Sequence, residues 1–210
     1  GVEVTDNAGF YEALFNKIPL IELEEFWFLD TLINRRKIYD YLRLPFEILF
    51  SFLLTLILLP IILLIAILVK LSSRGPILIK QKRIGELGRE FTLYKFRSMY
   101  AKAADGSAET VGAQWAQNND RRITPLGKIL RRTHLDELPQ LINIVKSDLS
   151  FVGPRPERPE FTEQLKKAIP FYELRHIVKP GITGWAQINY RYGASIEDAY
   201  EKLQYDLYYL

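Results

Sequence analysis

The residues best suited to chemistry are Asp136 and Glu137, adjacent carboxylates that follow Arg131 and Arg132 and precede Pro139 and Gln140. Consecutive side chains on a helix point in different directions, so the two acids suit separate tasks. One suits a nucleophile, the other a metal ligand or proton handler. A plainer reading stands beside this one: two solvated acids at a helix start, favoured by the positive end of the dipole. The surrounding cations bear on the choice. Lys95 and Arg97 alternate with aromatics, and Arg155 stands between Pro154 and Pro156. Both prolines fix φ, so the backbone carrying Arg155 has little freedom. A stiff mount lets a guanidinium meet a phosphate at little ordering cost. Fixed cations around two anions suit chemistry on phosphates, with a divalent ion screening the pair. A carboxylate can attack a phosphoryl group and hold it covalently until a second acceptor takes it. Further on, Trp185 offers a flat face beside Gln187 and Asn189, where a base or sugar would stack; a core Trp is the alternative.

Thr124 and Pro125 read as the cap and first position of a helix that carries Arg131 and Arg132. Pro139 opens a second helix over residues 140–146, which places both acids near its amino end and its unpaired backbone donors. Residues 77–81 and 91–95 read as two short strands of one hairpin, separated by Gly85 and Gly88. Residues 100–120 are small and polar, a loop or frayed helix. Residues 159–176 form a charged helical segment broken at Pro170, and residues 196–210 a helix rich in Tyr. At the other end, residues 7–16 read as a short helix, with a turn at Pro19 and an amphipathic segment that carries Trp27 and Phe28.

The chain has 210 residues, enough for one domain with an appendage, and its formal charge is +3. That mild basicity fits an anionic membrane surface or phosphorylated ligands. The absence of cysteine excludes disulfides, thiolate metal sites and thiol nucleophiles. There is no P-loop, no Gly-x-Gly-x-x-Gly, no His pair at metal-ligand spacing and no serine nucleophile elbow. A chain that starts at Gly1 and stops at Leu210 without a polar tail reads as a fragment of a longer protein.

From Ile48 to Val69 the chain is almost wholly apolar, interrupted by Ser51, Thr55 and Pro60. Roughly 20 such residues match a bilayer core. Cations flank both ends, Arg35, Arg36, Lys37 and Arg43 before and Lys70, Arg74, Lys80, Lys82 and Arg83 after. A spanning helix carries its excess of Lys and Arg on one side. Pro60 removes a backbone donor and clashes with the carbonyl four residues earlier. The expectation is a re-entrant hairpin, helix-break-helix, broken near Pro60, with Ser51 and Thr55 serving carbonyls that the bend frees. A single spanning helix with a proline kink is the alternative. Three parts result: a linker over residues 1–34, a membrane hairpin over 35–73 and a cytoplasmic domain over 74–210. The fold class is mainly α with a small β hairpin, with amphipathic helices at the bilayer surface.

Five motifs carry a resemblance: Lys80-Gln81-Lys82-Arg83, Tyr94-Lys95-Phe96-Arg97-Ser98-Met99, Leu135-Asp136-Glu137-Leu138-Pro139-Gln140, Val152-Gly153-Pro154-Arg155-Pro156-Glu157 and Lys179-Pro180-Gly181-Ile182-Thr183-Gly184-Trp185-Ala186-Gln187. Over about residues 35–210 the chain resembles the bacterial sugar transferases, the monotopic polyprenyl-phosphate phosphoglycosyltransferases. The resemblance implies a re-entrant hairpin in the inner leaflet of the bacterial inner membrane, with the active site on the cytoplasmic face. It implies transfer of a sugar-1-phosphate from a UDP-sugar to undecaprenyl phosphate, with Mg2+. Carried over, Asp136 is the nucleophile that forms a phospho-sugar ester and releases the nucleoside monophosphate. Glu137 helps to hold Mg2+ or assists the acceptor. Lys95, Arg97, Arg131 and Arg155 bind phosphates or orient the pair, and Gln187 belongs to the substrate-binding set. Residues 1–34 resemble the linker of the family's large form, which implies a larger enzyme, in some cases a homodimer. His134 stands where the family often has a small hydroxylated residue, and Leu59-Pro60 where it often has Ser-Pro. The competing expectation is a membrane-anchored scaffold that binds polyanions without turnover.

Overall fold

A computed structural model describes residues 7–20, 37–103, 106–108, 120–190, 193 and 195–210. The expected amphipathic segment around Trp27 and Phe28 lies outside these residues, as does most of the expected loop at 100–120.

The first element among the described residues is α1 (Asn7–Phe15); a single long helix, α2 (Lys37–Ser72), has 36 residues. The hairpin follows, with β1 (Leu78–Ile84) antiparallel to β2 (Glu90–Phe96) and Gln81 opposite Leu93. Next come α3 (Pro125–Arg132), a 3-10 helix (Leu135–Gln140) and α4 (Leu141–Val145). The last part holds β3 (Ser150–Val152), α5 (Pro159–Ala168), a 3-10 helix (Tyr172–His176), β4 (Gly181–Thr183), α6 (Trp185–Asn189) and α7 (Ile196–Tyr209). The expected hairpin, the Thr124 cap and the break near Pro170 are all present. The Thr124 hydroxyl accepts from the Gly127 amide at 2.9 Å, with Pro125 at the first helical position. α7 opens with a capping box between Ser195 and Asp198.

One element has no counterpart in the sequence reading. β3 and β4 pair in parallel, Ser150 with Gly181 and Val152 with Thr183. Strands of three residues show no alternation to read. Their close approach explains two glycines, since a Cβ on Gly181 would meet the backbone nitrogen of Gly153.

The long helix corrects another expectation. α2 runs through Pro45 and Pro60 with no intervening break, so there is one helix where two were expected. A proline leaves the carbonyl four residues back without its partner and bends the axis, but a long apolar helix retains its other bonds. The expected help from Ser51 and Thr55 goes elsewhere. Thr55 donates to the Ser51 carbonyl at 2.7 Å, while Pro60 deprives that of Leu56. Ser51 donates to the Leu141 carbonyl on α4 at 3.0 Å.

Leu42–Ser72 is long and apolar enough to cross a membrane. Much of its surface is exposed, including Leu42, Phe46, Ile57 and Leu71. One stripe is not. Arg43, Glu47, Ser51, Leu54, Leu58, Ile62, Ile65 and Val69 recur every three or four residues, on one helix face, and all meet the folded domain. Leu54 and Leu58 pack on a core of Leu93, Leu141, Ile144 and Leu149. Ile62, Ile65, Ala66 and Val69 pack on Phe96 and Leu130. A third core lies further off: Ile18 and Leu20 pack with Phe161, Leu165, Ile169, Tyr172, Leu203 and Leu207.

Both ends of this helix are braced by arginine. Arg43 donates to Glu47 at 2.9 Å, to Ser150 and to the Tyr209 hydroxyl at 2.9 Å. Arg97 donates to the carbonyls of Val69, Ser73 and Pro76 at 2.6–3.1 Å. It is 2% exposed. Arg97, expected to bind phosphate or orient the acid pair, lies here at the carboxyl end of α2, which its guanidinium closes.

Asn143, fully buried, ties α4 to the hairpin. Its amide donates to the Thr92 carbonyl at 2.7 Å and accepts from the Tyr94 amide at 3.1 Å. The side chain thus stands in for a third strand at that point of β2. Asn143→Ala would leave two buried backbone groups unpaired, each worth about 1–3 kcal/mol. Denaturant unfolding of this variant is expected to show a loss of about 2–4 kcal/mol; a loss below about 0.5 kcal/mol would refute this role.

Candidate active site

The 3-10 helix Leu135–Gln140 sets the directions of the acid pair. Leu135 and Leu138 stand three residues apart, which in a 3-10 turn puts them one above the other. Both pack against the core formed by α2, β2 and α3. His134, at φ 55°, reverses the chain before this turn, and its carbonyl accepts from the Glu137 amide at 3.1 Å. Asp136 and Glu137 are left between the two leucines, each only 8% exposed. They are not the solvated helix start of the plainer reading.

Three other elements converge here. Lys95 near the end of β2 donates to Glu137 Oε1 at 2.7 Å. Arg155 donates to the same oxygen at 2.9 Å, from its mount between the prolines. Arg131, in the last turn of α3, adds positive potential at Asp136 without a direct bond. On β1, Arg83 points inward on the same face as Gln81 and donates to that side chain at 2.9 Å.

The two acids respond in opposite ways. Burial raises the Asp136 carboxyl above its usual range; Lys95 and Arg131 oppose that shift and Glu137 adds to it. Burial pushes Glu137 the same way, but Arg155 and then Lys95 overcome it and hold its carboxyl down at about 2. Burial first, then Arg155, lowers the Lys95 ammonium to about 8. Burial likewise lowers Arg83 to about 10. At neutral pH Glu137 is a fixed anion between two cations. Asp136 is a buried carboxylate with no ion pair of its own among the described residues, the condition of a strong nucleophile.

Of the residues expected at the site, Asp136, Glu137, Lys95 and Arg155 come together, and Arg131 stands near. Arg97 belongs to the helix brace. Gln187, on α6, is exposed and donates to the Ile182 carbonyl at 3.3 Å. Trp185 stacks on Tyr208 with ring centres 5.9 Å apart, and its indole donates to the Asn16 carbonyl. That is nearer to the packing alternative than to an open stacking platform. Pro60 lies within α2, and its neighbour Ile62 packs under Phe96.

Sequence reasoning missed Asn143, Arg175 and Asp206, and read Arg83 only as a cation beside the apolar run and as part of a motif. Arg83 had a signal: it follows Gln81 by two residues, so both share a strand face. Asp206 also had one, a carboxylate one position before Leu207 and three after Leu203 on an otherwise apolar helix face. Asn143 and Arg175 had none.

The donor set also bears on a metal. Among the described residues no three His, Cys, Asp or Glu side chains form a ligand group. Two neighbouring carboxylates suit an ion such as Mg2+ that takes its remaining ligands from substrate phosphates and water. They do not suit an all-protein cage.

A domain with a buried acid pair among fixed cations, packed along a helix long enough to cross a membrane, defines a class. It is a protein in which a helix long and apolar enough to cross a membrane carries a domain with two buried acids among fixed cations. The chain belongs to the bacterial sugar transferase family, whose model matches residues 38–210. It is 43% identical over 173 residues to a UDP-N-acetylgalactosamine-undecaprenyl-phosphate N-acetylgalactosaminephosphotransferase of Aeromonas hydrophila, covering 82% of this chain and 40% of that protein. It is 46% identical over 153 residues to a UDP-glucose:undecaprenyl-phosphate glucose-1-phosphate transferase of Xanthomonas campestris pv. campestris, covering 72% and 31%. An exopolysaccharide production protein, PSS, of Rhizobium leguminosarum bv. phaseoli is 40% identical over 176 residues, covering 80% and 85%. The chain thus spans well under half the length of the first two relatives.

The opposite shifts predict opposite stability effects. Asp136→Asn removes a charge that burial disfavours, so its unfolding free energy is expected to stay level or rise. Glu137→Gln removes the anion that neutralises Lys95 and Arg155, at a cost of about 2–3 kcal/mol. Equal losses in the two variants, read by chemical denaturation at pH 7, would contradict the assignment.

Proposed function

We propose that the chain is the catalytic part of an undecaprenyl-phosphate sugar-1-phosphate transferase. It moves a sugar-1-phosphate from a UDP-sugar to undecaprenyl phosphate and so initiates bacterial exopolysaccharide, capsule or O-antigen synthesis. The observation that carries this reading is the buried Asp136, with no ion pair of its own among the described residues, beside the clamped Glu137. The relatives' names support the substrates.

In this reading a carboxylate oxygen of Asp136 attacks the phosphorus that bears the sugar. The phosphoanhydride bond breaks and UMP leaves with the bond's electron pair. The phosphate of the lipid acceptor then attacks the same phosphorus and returns Asp136 to a carboxylate. Lys95, Arg131 and Arg155 hold phosphate oxygens as charge moves onto the leaving group. Asp136 and Glu137 would hold Mg2+, which would supply charge neutralisation for the diphosphate. Lys95 and Arg155 are occupied by Glu137 in the free protein, so the diphosphate enters a site whose cations are already placed.

α2 lies at the inner bacterial membrane with the site on the cytoplasmic face. Glu47 near one end and Val69 near the other both pack on the one domain. The 22 residues between them would rise about 33 Å in a straight helix, the depth of a bilayer core. A folded domain with charged surfaces cannot follow a helix across that depth, so both ends share one face. Bending at Pro60 makes the helix re-entrant without the break first expected. Exposed Ile129, beside Lys128 and Arg132 on α3, and exposed Ile142 and Val145 on α4 then meet the bilayer surface.

Asp136→Asn is expected to abolish UMP release from UDP-sugars and the labelled phospho-sugar protein trapped without acceptor. A variant that still turned over would refute covalent catalysis, and binding of UDP-sugars without turnover by the unaltered protein would favour the scaffold. Attack requires ionised Asp136, whose raised pKa puts the acid limb of kcat/KM above the ordinary carboxylate range. Lys95 loses its proton as pH rises through about 8, which sets the alkaline limb. For topology, the chain's lack of cysteine allows Arg36→Cys and Ser72→Cys to be labelled singly. Both are expected to react only from the cytoplasmic side; labelling from opposite sides excludes a re-entrant helix.

A further inference from the structure

Arg155 is held by more than its two prolines. Four consecutive carbonyls, from Pro154 to Glu157, each accept a hydrogen bond from elsewhere in the fold. The Gly181 amide donates to Pro154 at 3.0 Å and the Ile84 amide to Glu157 at 2.9 Å. Between them, Arg175 donates to the Arg155 carbonyl at 2.9 Å and Arg83 to that of Pro156 at 3.1 Å. Pro154 and Pro156 have no N–H, so over this stretch carbonyls are the main backbone handles. β1, the 3-10 helix Tyr172–His176 and β4 each take hold of one or more.

The two arginines are themselves fixed. Arg175 donates to Asp206 at 3.0 Å and to the Tyr172 hydroxyl at 2.7 Å, and both partners are buried. Arg83 spans from Gln81 to Pro156. Neither guanidinium bonds to Asp136 or Glu137. Each bonds to the site only through the backbone that carries Arg155; the charge of Arg83 also acts on Lys95 and Glu137, and Arg83→Lys retains that charge.

We propose that Arg83 and Arg175 are positioning residues: they set where the Arg155 guanidinium meets Glu137 and the incoming phosphate. The inference rests on the reading of Arg155 as a phosphate-binding group. Its physical basis is the fork of the guanidinium. Two donors on one rigid plane tie two acceptors at a fixed separation, which a lysine ammonium on a flexible stem does not reproduce. Arg83→Lys therefore retains the charge and loses the geometry. For Arg175 the buried partner matters, since removing one half of a buried ion pair destabilises the fold. The double variant Arg175→Met with Asp206→Leu removes both charges and retains bulk. Tyr172→Phe is the control, because it removes one bond to Arg175 and leaves the Arg155 carbonyl bonded.

The test is a double-mutant cycle on UMP release with Arg155→Ala. In the unaltered background Arg83→Lys is expected to lower kcat/KM about tenfold or more, the scale of a small misplacement. In the Arg155→Ala background the same change is expected to do nothing further. Full additivity, or no effect of Arg83→Lys at all, overturns the proposal, and the Arg175/Asp206 pair is read in the same way if it folds. A second measurement needs no turnover. The Arg155 Nε–Hε NMR signal, assigned by its loss in Arg155→Ala, is expected to shift and broaden in Arg83→Lys and to stay in place in Tyr172→Phe. An unmoved signal in Arg83→Lys overturns the proposal. If the unaltered protein releases no UMP from any UDP-sugar, the transferase reading falls, while the NMR arm still decides whether Arg155 is positioned in this way.

Discussion

Two cations, one largely buried and one half-buried, meet on a single carboxylate oxygen, and the rest of the site follows from that constraint. Lys95 and Arg155 each bond to Glu137 Oε1. Without that anion, two positive charges would sit close together in a poorly solvated region, which is costly. With it, Glu137 is fixed as a carboxylate and neither cation needs another protein partner at the site. Asp136, one residue along, receives no such pairing. The same burial that Glu137 overcomes is therefore left acting on Asp136. Two identical functional groups on adjacent residues are driven apart by the unequal sharing of the cations and by the charge of Glu137 acting on Asp136, the pattern that separates roles in carboxylate pairs.

The long helix depends on the domain as much as the domain on it. Its apolar residues are nearly uniform around the axis, so hydrophobicity does not choose a face. Polar pins do: Glu47 to Arg43 and Ser150, Ser51 to Leu141, and Arg97 to the carbonyls near Val69 and Ser73. Buried hydrogen bonds of this kind are directional and costly to leave unmade, so they specify one rotation of the helix. That rotation puts Ile62, Ile65 and Val69 under Phe96 and Leu130, on which Leu135 and Leu138 also rest. The helix thus forms part of the floor beneath the acid pair.

Much of this was legible in the sequence where the signal was local. The hairpin alternates, Thr124-Pro125 is a cap with its mechanism written in two residues, and Pro154-Arg155-Pro156 announces a stiff mount. The acid pair, Lys95 and Arg155 were legible as chemistry, though their convergence on one oxygen was not. What stayed hidden depends on long-range contact. A cation in a sequence looks alike whether it faces phosphate, headgroups or a helix end. Arg43 and Arg97 read as the first two and serve as braces. Asn143 lies in an apolar run, and only the β2 backbone beside it gives its amide a task. The parallel pairing of β3 with β4 joins segments about 30 residues apart in strands too short for any period. Pro60 shows the reverse error: a strong local rule predicted a break, and a long helix with many other bonds absorbed it as a proline in place.

The cost of the site is local, and so is its offset. His134 adopts a left-handed conformation that an ordinary side chain disfavours, and Asp136 is buried with its charge opposed by its surroundings. Both lie within three residues of each other, on a 3-10 turn that has poorer hydrogen bonds than an α-helix. What retains the turn is the pair of leucines on its other side, which share a core with α2. Apolar burial of that kind is non-directional, so it can hold a strained segment without dictating where the acids point. The direction comes instead from Glu137 and its two cations. Packing therefore supplies the stability and electrostatics the aim, and a site that separates these two sources can tolerate an unfavourably buried acid without loosening its geometry.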